Sequence, residues 1–233
     1  MREINIDRIV VGDIAANCWI YPLAESYIPQ GRILPPGFRG CALIDPGAEA
    51  DRIMAFIEKL NLIPVYILLT HGHFDHIGAL PGIISAGHKP IIAIHEADAQ
   101  YLGPGSRQVH RESFTAVVGN ASYVDEYLDS LWGDMPEPNL LLHEGDTIGP
   151  FTILHLPGHT QGGIAFWDKE GKNLFSGDTL FQANYGRTDL PGGSETKLFE
   201  SLQRLFAMDS EIKVYPGHGA ETTIGDEAAR GLI

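Results

Sequence analysis

Three histidines and one aspartate lie within six consecutive residues, from His71 to His76, directly after an apolar stretch at residues 65–69. The apolar stretch follows Pro64 and predicts a buried strand, so the loop after it places several polar side chains at the edge of a core. Imidazole is the commonest neutral ligand for zinc-like cations, and carboxylate is a hard partner. The loop therefore predicts a site for one or two divalent metals.

Three other segments share this construction, because each is an apolar strand that ends in a turn with one potential ligand. The potential ligands are His159, Asp178 and His218. Strands that end at one rim can bring their terminal side chains together, so the recurrence predicts one shared site. Five histidines and two aspartates suffice for two four-coordinate metals if one carboxylate bridges and a water-derived ligand completes each shell. Such a ligand count is typical of a two-metal hydrolase.

The charge of the chain narrows the choice of partners. Of 233 residues, 16 are Lys or Arg and 30 are Asp or Glu, which gives a formal net charge of −14. Nucleic acids and anionic membranes need a basic surface, so neither is expected as a main partner. No apolar run approaches the roughly 18 residues that cross a bilayer. Two cysteines, and an N-terminus without a signal-peptide pattern, predict a cytoplasmic protein.

Short strands and helices alternate along most of the chain, and 27 Gly and 15 Pro imply tight connections between them. The spacing of apolar residues predicts helices at residues 49–60 and 194–206, the second with Ser194 as its N-cap. Residues 103–139 break the alternation, and one helix is predicted there, at 123–131. We interpret this segment as a partly helical insertion in a single domain that spans residues 1–233.

The motifs resemble those of the metallo-β-lactamase-fold hydrolases, and among them the short, single-domain glyoxalase II-like (hydroxyacylglutathione hydrolase-like) group. The resemblance runs from Asp45-Pro46-Gly47 through THGHFDHIG, LPGHT, FSGDTLF, GRTDLPGG and YPGHGAETTIGDE. It implies an α+β fold, specifically a four-layer αββα sandwich with the metals at one edge between the sheets.

The resemblance also implies a ligand set, a cofactor and a reaction. It divides the seven candidate ligands into His71, His73 and His159 for one metal, Asp75, His76 and His218 for the other, and Asp178 as the bridge. The expected cofactors are two divalent metal ions, zinc first, with iron or manganese as alternatives. A metal-bridging hydroxide would cleave a small-molecule thioester or similar acyl substrate. Asp75 would orient this hydroxide or transfer a proton to the leaving group.

The GRTD turn leaves alternatives open, because it also resembles the persulfide dioxygenases. Arg187 and Asp189 are predicted to fix this turn as an ion pair. The alternative is that Arg187 contacts a carboxylate that binds metal and orients it. Tyr185, just before the turn, is a candidate to line the substrate pocket. A mononuclear iron dioxygenase that acts on persulfides and a metal-binding module without turnover are the competing hypotheses. The five histidines outside the motifs are expected to be surface or hydrogen-bonded residues: His88, His95, His110, His143 and His155.

Overall fold

The computed structural model describes residues 4–233, except for the side chains of residues 130 and 131. Its first sheet has six strands: β1 (Asp7–Val11), β2 (Ala16–Pro22), β3 (Arg39–Ile44), β4 (Leu62–Leu68), β5 (Ile91–His95) and β6 (Leu140–Leu142). They lie side by side in chain order. The pairs from β1 to β3 are antiparallel, and those from β3 to β6 are parallel.

Helices make the crossovers that these parallel strands require. In chain order they are α1 (Ala50–Lys59), α2 (Phe74–Ile77), α3 (Leu80–Ser85), α4 (Ser106–Val118) and α5 (Ala121–Leu131). Two 3₁₀ helices, Glu25–Tyr27 and Glu96–Tyr101, complete this half of the chain.

The second sheet has the order β14-β13-β10-β9-β8-β7. Its strands are β7 (Thr147–Ile148), β8 (Phe151–His155), β9 (Ile164–Asp168), β10 (Asn173–Gly177), β13 (Lys213–Pro216) and β14 (Thr222–Thr223). A small hairpin of β11 (Leu180–Phe181) and β12 (Asn184–Tyr185) follows β10, and α6 (Glu195–Phe206) and α7 (Ile224–Arg230) complete the chain. The oxygen of Ser194 accepts a hydrogen bond from the Lys197 amide at the start of α6, as the sequence predicts.

Three apolar clusters separate the layers. Aromatic side chains fill the space between the sheets, where Trp19 of β2 meets Phe175 of β10 edge to face at 6.3 Å. Ile53 and Ile57 of α1 cover the outer face of the first sheet. Leu198, Leu202 and Leu205 of α6 cover the outer face of the second sheet. The predicted four-layer αββα sandwich is confirmed.

The segment 103–139 contains two helices where the sequence predicts one. The fully buried side chains of the extra helix, α4, are the polar ones of Ser106, His110 and Ser113, whereas Val109 and Phe114 are only partly buried. The apolar stripe of such a helix is weak, and the stripe is the main sequence signal for an amphipathic helix. The helix predicted at 123–131 is α5, which begins two residues earlier behind its Asn120 N-cap. No helix within residues 4–233 is long and apolar enough to cross a membrane.

Candidate metal centre

The candidate ligands come from strand ends of both sheets. The loop with His71 follows β4 of the first sheet, while Asp178 and His218 follow β10 and β13 of the second. Strands β10 and β13 are parallel neighbours, so their carboxyl ends lie at the same edge. His159 follows β8 on that sheet. The fold thus gathers seven side chains that are up to 147 positions apart in sequence.

The first group of close ligand atoms consists of His71, His73 and His159, all of them buried. The Nδ1 atom of His73 lies 2.9 Å from Nε2 of His159. The Nδ1 atom of His159 donates to the Arg187 carbonyl at 2.7 Å, which leaves Nε2 with a lone pair that faces His73. Two imidazole nitrogens placed in this way suit a shared cation.

The second group consists of Asp75, His76 and His218. The Nε2 atoms of the two histidines are 3.3 Å apart, and Oδ2 of Asp75 is 3.2 Å from Nε2 of His218. Asp178 lies between the two groups. Its Oδ1 is 3.4 Å from Nε2 of His76, and its Oδ2 is 3.6 Å from Nε2 of His159.

Two buried atoms show that this cluster suits metal ions. Nε2 of His71 and Oδ1 of Asp178 have no hydrogen-bond partner among the described residues. Leaving a buried polar atom unpaired costs about 1–3 kcal/mol. Both atoms belong to residue types that bind zinc and related cations, and both face the other candidate ligands. The donor set therefore fits divalent metals.

Asp45 orients two of the histidines, although the sequence points to it only as the residue after β3. Nδ1 of His76 donates to Oδ2 of Asp45 at 3.0 Å. The hydroxyl of Thr70 donates to the same oxygen at 2.6 Å and lies 3.0 Å from Nδ1 of His71, from which it accepts. Hydrogen bonds of this type place a proton on Nδ1 of each ring, so that in the neutral tautomer Nε2 carries the lone pair and faces the site. A third close grouping, Asp45 with His71 and His76, reflects this orienting role.

Burial and neighbouring charges shift the pKa values of the candidate histidines in different directions. Burial and the neighbouring imidazoles hold the pKa of His71 and of His73 well below the ordinary value, so both rings are neutral. Burial also lowers the pKa of His76, but the carboxylates of Asp75 and Asp178 outweigh it and raise that pKa well above its ordinary value. The second group therefore attracts positive charge, for which protons and metal ions compete.

Asp98 joins two ligand loops and has no motif around it in the sequence. Its buried carboxylate accepts hydrogen bonds from the Gly72 amide at 3.1 Å, the Gly162 amide at 2.7 Å and the Thr160 hydroxyl at 2.7 Å. Burial raises its pKa, although these hydrogen bonds act in the opposite direction. One side chain thereby fixes the loop of His71 and His73 relative to that of His159.

Asn17 on β2 holds the turn that carries His218. Its Nδ2 donates to the carbonyls of Pro216 at 2.9 Å and Gly219 at 3.0 Å. Its backbone amide donates to the carbonyl of Gly217 at 2.7 Å. These contacts span about 200 positions, so no local pattern in the sequence indicates them.

The remaining candidates lie around the GRTD turn. The guanidinium of Arg187 pairs with both carboxylate oxygens of Asp189 at 2.7 Å. The backbone carbonyl of Arg187 accepts a hydrogen bond from Nδ1 of His159, a candidate ligand, at 2.7 Å. The Tyr185 ring packs edge to face on Phe199 of α6 at 5.6 Å.

A cavity of about 330 Å³ opens above the ligands. Five candidate ligands form its floor, and the other lining residues come from the β1–β2 turn, α2, α4 and the GRTD turn. The lining consists of Ile14, His73, Phe74, Asp75, His110, Ser113, Phe114, Val117, His159, Asp178, Arg187, Leu190 and His218. Its volume is near the lower end of the range for ligand sites.

A four-layer sandwich with adjoining histidine and aspartate groups at one edge defines a metal-binding αββα protein. The sequence profile described as the Metallo-beta-lactamase superfamily matches residues 37–218. The chain belongs to this superfamily, most members of which are hydrolases, and the resemblance predicted from the motifs is confirmed.

Several named proteins and solved structures are similar to this chain over most of its length. Hydroxyacylglutathione hydrolase GloC of Haemophilus influenzae is 37% identical over 190 residues, which are 81% of this chain and 84% of that protein. The structure of TTHA1623 in a di-iron-bound form is similar with a TM-score of 0.72 and 35% identity, over 95% of this chain and 96% of that one. ETHE1 from Myxococcus xanthus shares the fold, with a TM-score of 0.66 and 23% identity over 96% of this chain and 81% of its own.

Proposed function

We propose that the protein is a metal-dependent hydrolase of thioesters or similar activated acyl compounds. The observation that carries the proposal is the position of Asp178, whose carboxylate lies between the two ligand groups. Its Oδ1 is 3.4 Å from Nε2 of His76, and its Oδ2 is 3.6 Å from Nε2 of both His159 and His218. A carboxylate in this position suits a pair of cations that act on one substrate. The similarity to hydroxyacylglutathione hydrolase GloC supports a thioester as the substrate class.

The proposed ligands are the seven residues implied by the motifs. His71, His73 and His159 would hold one cation, Asp75, His76 and His218 the other, and Asp178 would contact both. Two divalent cations, zinc, iron or manganese, supply Lewis acidity for the acyl carbonyl and lower the pKa of a water from 15.7 to about 7. Asp45, Asp98 and the Arg187 carbonyl keep the imidazoles in position.

Asp75 is the proposed proton carrier. It lines the cavity, and its Oδ2 lies 3.2 Å from Nε2 of His218. Burial raises its pKa, but His76 and the hydrogen bond from His218 outweigh burial and hold the pKa well below its ordinary value. The carboxylate is therefore ionised and can orient a water molecule or accept its proton.

In the proposed reaction, the water oxygen bonds to the acyl carbon and the carbon–sulfur bond breaks. The sulfur leaves with the bonding electron pair, and the proton released by water passes by way of Asp75 to the thiolate or to solvent. A thioester suits this site because a thiolate leaves without full protonation.

A second candidate function is oxidation of a persulfide at a single iron. The GRTD turn favours it, since this motif also resembles the persulfide dioxygenases. Oxygen activation needs one redox-active metal with open positions, whereas hydrolysis needs only Lewis acidity. The complete second group of Asp75, His76 and His218 favours hydrolysis.

Two assays on untagged, metal-loaded protein separate these functions: hydrolysis of S-lactoylglutathione and other thioesters, and oxygen uptake with glutathione persulfide. We expect thioester hydrolysis, with Asp75→Asn reducing kcat by about 100-fold or more. Asp51→Asn, an exposed acid on α1, serves as the matched control. Persulfide-dependent oxygen uptake without hydrolysis would establish the dioxygenase. Bound metal with no turnover in either assay would favour a non-catalytic metal-binding module.

A further inference from the structure

The walls of the cavity above the ligands are apolar, although its floor is polar. Phe74 and Leu190 line it from α2 and from the GRTD turn, Phe114 and Val117 line it from α4, and Ile14 lines it from the β1–β2 turn. Val117 is 49% exposed and Ile14 is 58% exposed. Exposed aliphatic side chains around a polar site mark a surface that an apolar ligand can cover.

The helix α4 contributes two polar and two apolar side chains to the lining of this cavity. His110 and Ser113 lie on its buried side, and Nε2 of His110 donates to the Tyr101 carbonyl at 3.0 Å. Phe114 and Val117 follow at helical spacing and lie nearer the opening. The rings of Phe114 and Phe74 pack edge to face with their centroids 6.0 Å apart, and this contact holds the apolar wall next to the metal loop.

The described lining of the cavity offers an anionic thiol carrier little positive charge from Lys or Arg. Arg187 is the one Lys or Arg among its described lining residues, and two of its guanidinium nitrogens bond to the carboxylate of Asp189. A neighbouring cavity of about 600 Å³ shares Ile14, Phe74 and Phe114. Its one cation, Arg52, is bonded to Glu49 at 2.9 Å.

Acidic side chains near the cavity make it still less favourable for an anionic carrier. Asp75 lines both cavities, and Asp13 and Glu49 line the second one. A tripeptide carrier such as glutathione bears two carboxylates, which need cationic or hydrogen-bonding partners to offset their loss of water. The lining offers apolar contact area to an acyl group, but few cationic partners to the carboxylates of such a carrier.

We propose that this site selects thioester substrates by an apolar acyl group packed against Phe114 and Val117, and that it contributes little binding to the thiol carrier. The inference rests on the proposed hydrolase function and specifies its substrate class. Burial of each methylene of the acyl group contributes binding, whereas a lactoyl group places a hydroxyl against the same apolar wall.

The first measurement compares kcat/KM for matched substrates with the metal-loaded protein. Hexanoyl and lactoyl thioesters of glutathione differ only in the acyl group, and hexanoyl thioesters of glutathione and N-acetylcysteamine differ only in the carrier. We expect the hexanoyl group to be favoured by about 10-fold or more. The two carriers should differ by less than about three-fold, since the Arg side chain of the described lining is already paired with a carboxylate.

Val117→Ser and Val118→Ser form a matched pair on α4. Val118 is 45% exposed and lies outside the described cavity lining, so both substitutions change helix propensity and surface polarity alike. We expect Val117→Ser to lower kcat/KM for the hexanoyl substrate by roughly three- to ten-fold, because part of an apolar wall is lost. It should not lower kcat/KM for the lactoyl substrate, whose hydroxyl would face a more polar wall. Val118→Ser should alter neither.

Calorimetric binding of hexanoate and lactate provides a readout besides turnover. Hexanoate should bind more tightly than lactate, and Val117→Ser alone should remove this preference. Equal or better hydrolysis of the lactoyl substrate, with no effect of Val117→Ser, would overturn the acyl selectivity and leave the hydrolase standing. Tight hexanoate binding that depends on Val117, without hydrolysis of any thioester, would overturn the hydrolase function while supporting the apolar selection.

Discussion

Nδ1 of His76 donates a hydrogen bond to Oδ2 of Asp45 over 3.0 Å, and both side chains are buried. The same carboxylate oxygen accepts from Thr70, whose hydroxyl contacts His71. One aspartate thereby sets the tautomer of a histidine in each ligand group, directly in one case and through a hydroxyl in the other. The two groups are coupled through Asp45 as well as through Asp178.

Asp45→Asn should weaken metal binding by both groups, by roughly 10- to 100-fold, because the amide leaves at least one imidazole without its acceptor. Thr70→Val removes only the path to His71, so it should weaken mainly the group of His71, His73 and His159. Chelator competition on the two variants measures this difference. Equal two-step binding curves for both variants and the wild type would contradict the assigned orienting role.

Asp178→Ala should impair both ligand groups. The wild type should bind close to two metal equivalents per chain, because a shared carboxylate offsets the repulsion of two dications about 3.5–4 Å apart. The variant should retain less than about one equivalent, and activity should be lost with the metal. Elemental analysis of untagged, metal-replete protein tests both statements. One equivalent in the wild type would mean that the two-metal proposal is wrong.

Asn17→Ala should loosen the turn that carries His218. The carbonyls of Pro216 and Gly219 each lose a donor, which should lower the free energy of unfolding by about 1–3 kcal/mol. Metal affinity should fall more in the group of His218 than in the group of His71. Asn5→Ala, which removes only exposed contacts to Asp7, is the control. Equal stability and metal affinity in Asn17→Ala and the control would exclude a positioning role.

His110 should make the protein less stable in acid. Burial lowers its pKa to about 4, against the raising effect of its hydrogen bond to Tyr101. Between pH 6.5 and about 4 the unfolded chain therefore binds more protons than the folded one, and the free energy of unfolding falls as the pH falls. The fall due to this ring is about 3 kcal/mol.

Urea unfolding of His110→Gln at several pH values tests this statement, and the pH dependence should be flatter than in the wild type. Acid also releases metals from histidines, so the informative quantity is the difference between variants. His143→Gln provides a control of opposite sign. Its hydrogen bond to Glu96 raises the pKa of the exposed His143, which favours the folded state in acid, so the variant should show a slightly steeper dependence.

We propose that residues 103–139 form a docked insertion within one domain. The ring of Trp132 stacks on Phe74 at 5.7 Å, which ties the segment to the metal loop. Limited proteolysis of the metal-loaded protein should leave the segment intact, and Trp132→Ala should accelerate cleavage within it. Tyr123→Ala, at an aromatic side chain that is 57% exposed, should not. Rapid cleavage of the wild type across the segment would contradict docking.

The sequence by itself identified the family through the resemblance of its motifs, the resemblance implied the sandwich, and the strand-end pattern marked the seven candidate ligands. The reason is local, because each candidate ligand follows an apolar strand and a turn, and period-two and period-3.6 patterns mark most of the elements. The N-cap at Ser194 is equally local, since its partner lies three residues away.

Only the tertiary structure decided what surrounds those seven residues. Asp98 bonds across 26 to 64 positions, and Asn17 bonds across about 200, so neither contact leaves a pattern in its own neighbourhood. Helix α4 escaped the sequence analysis because its fully buried side chains are polar. The apolar cavity wall arises from four separate segments, and it exists only where the fold brings Ile14, Phe74, Val117 and Leu190 together.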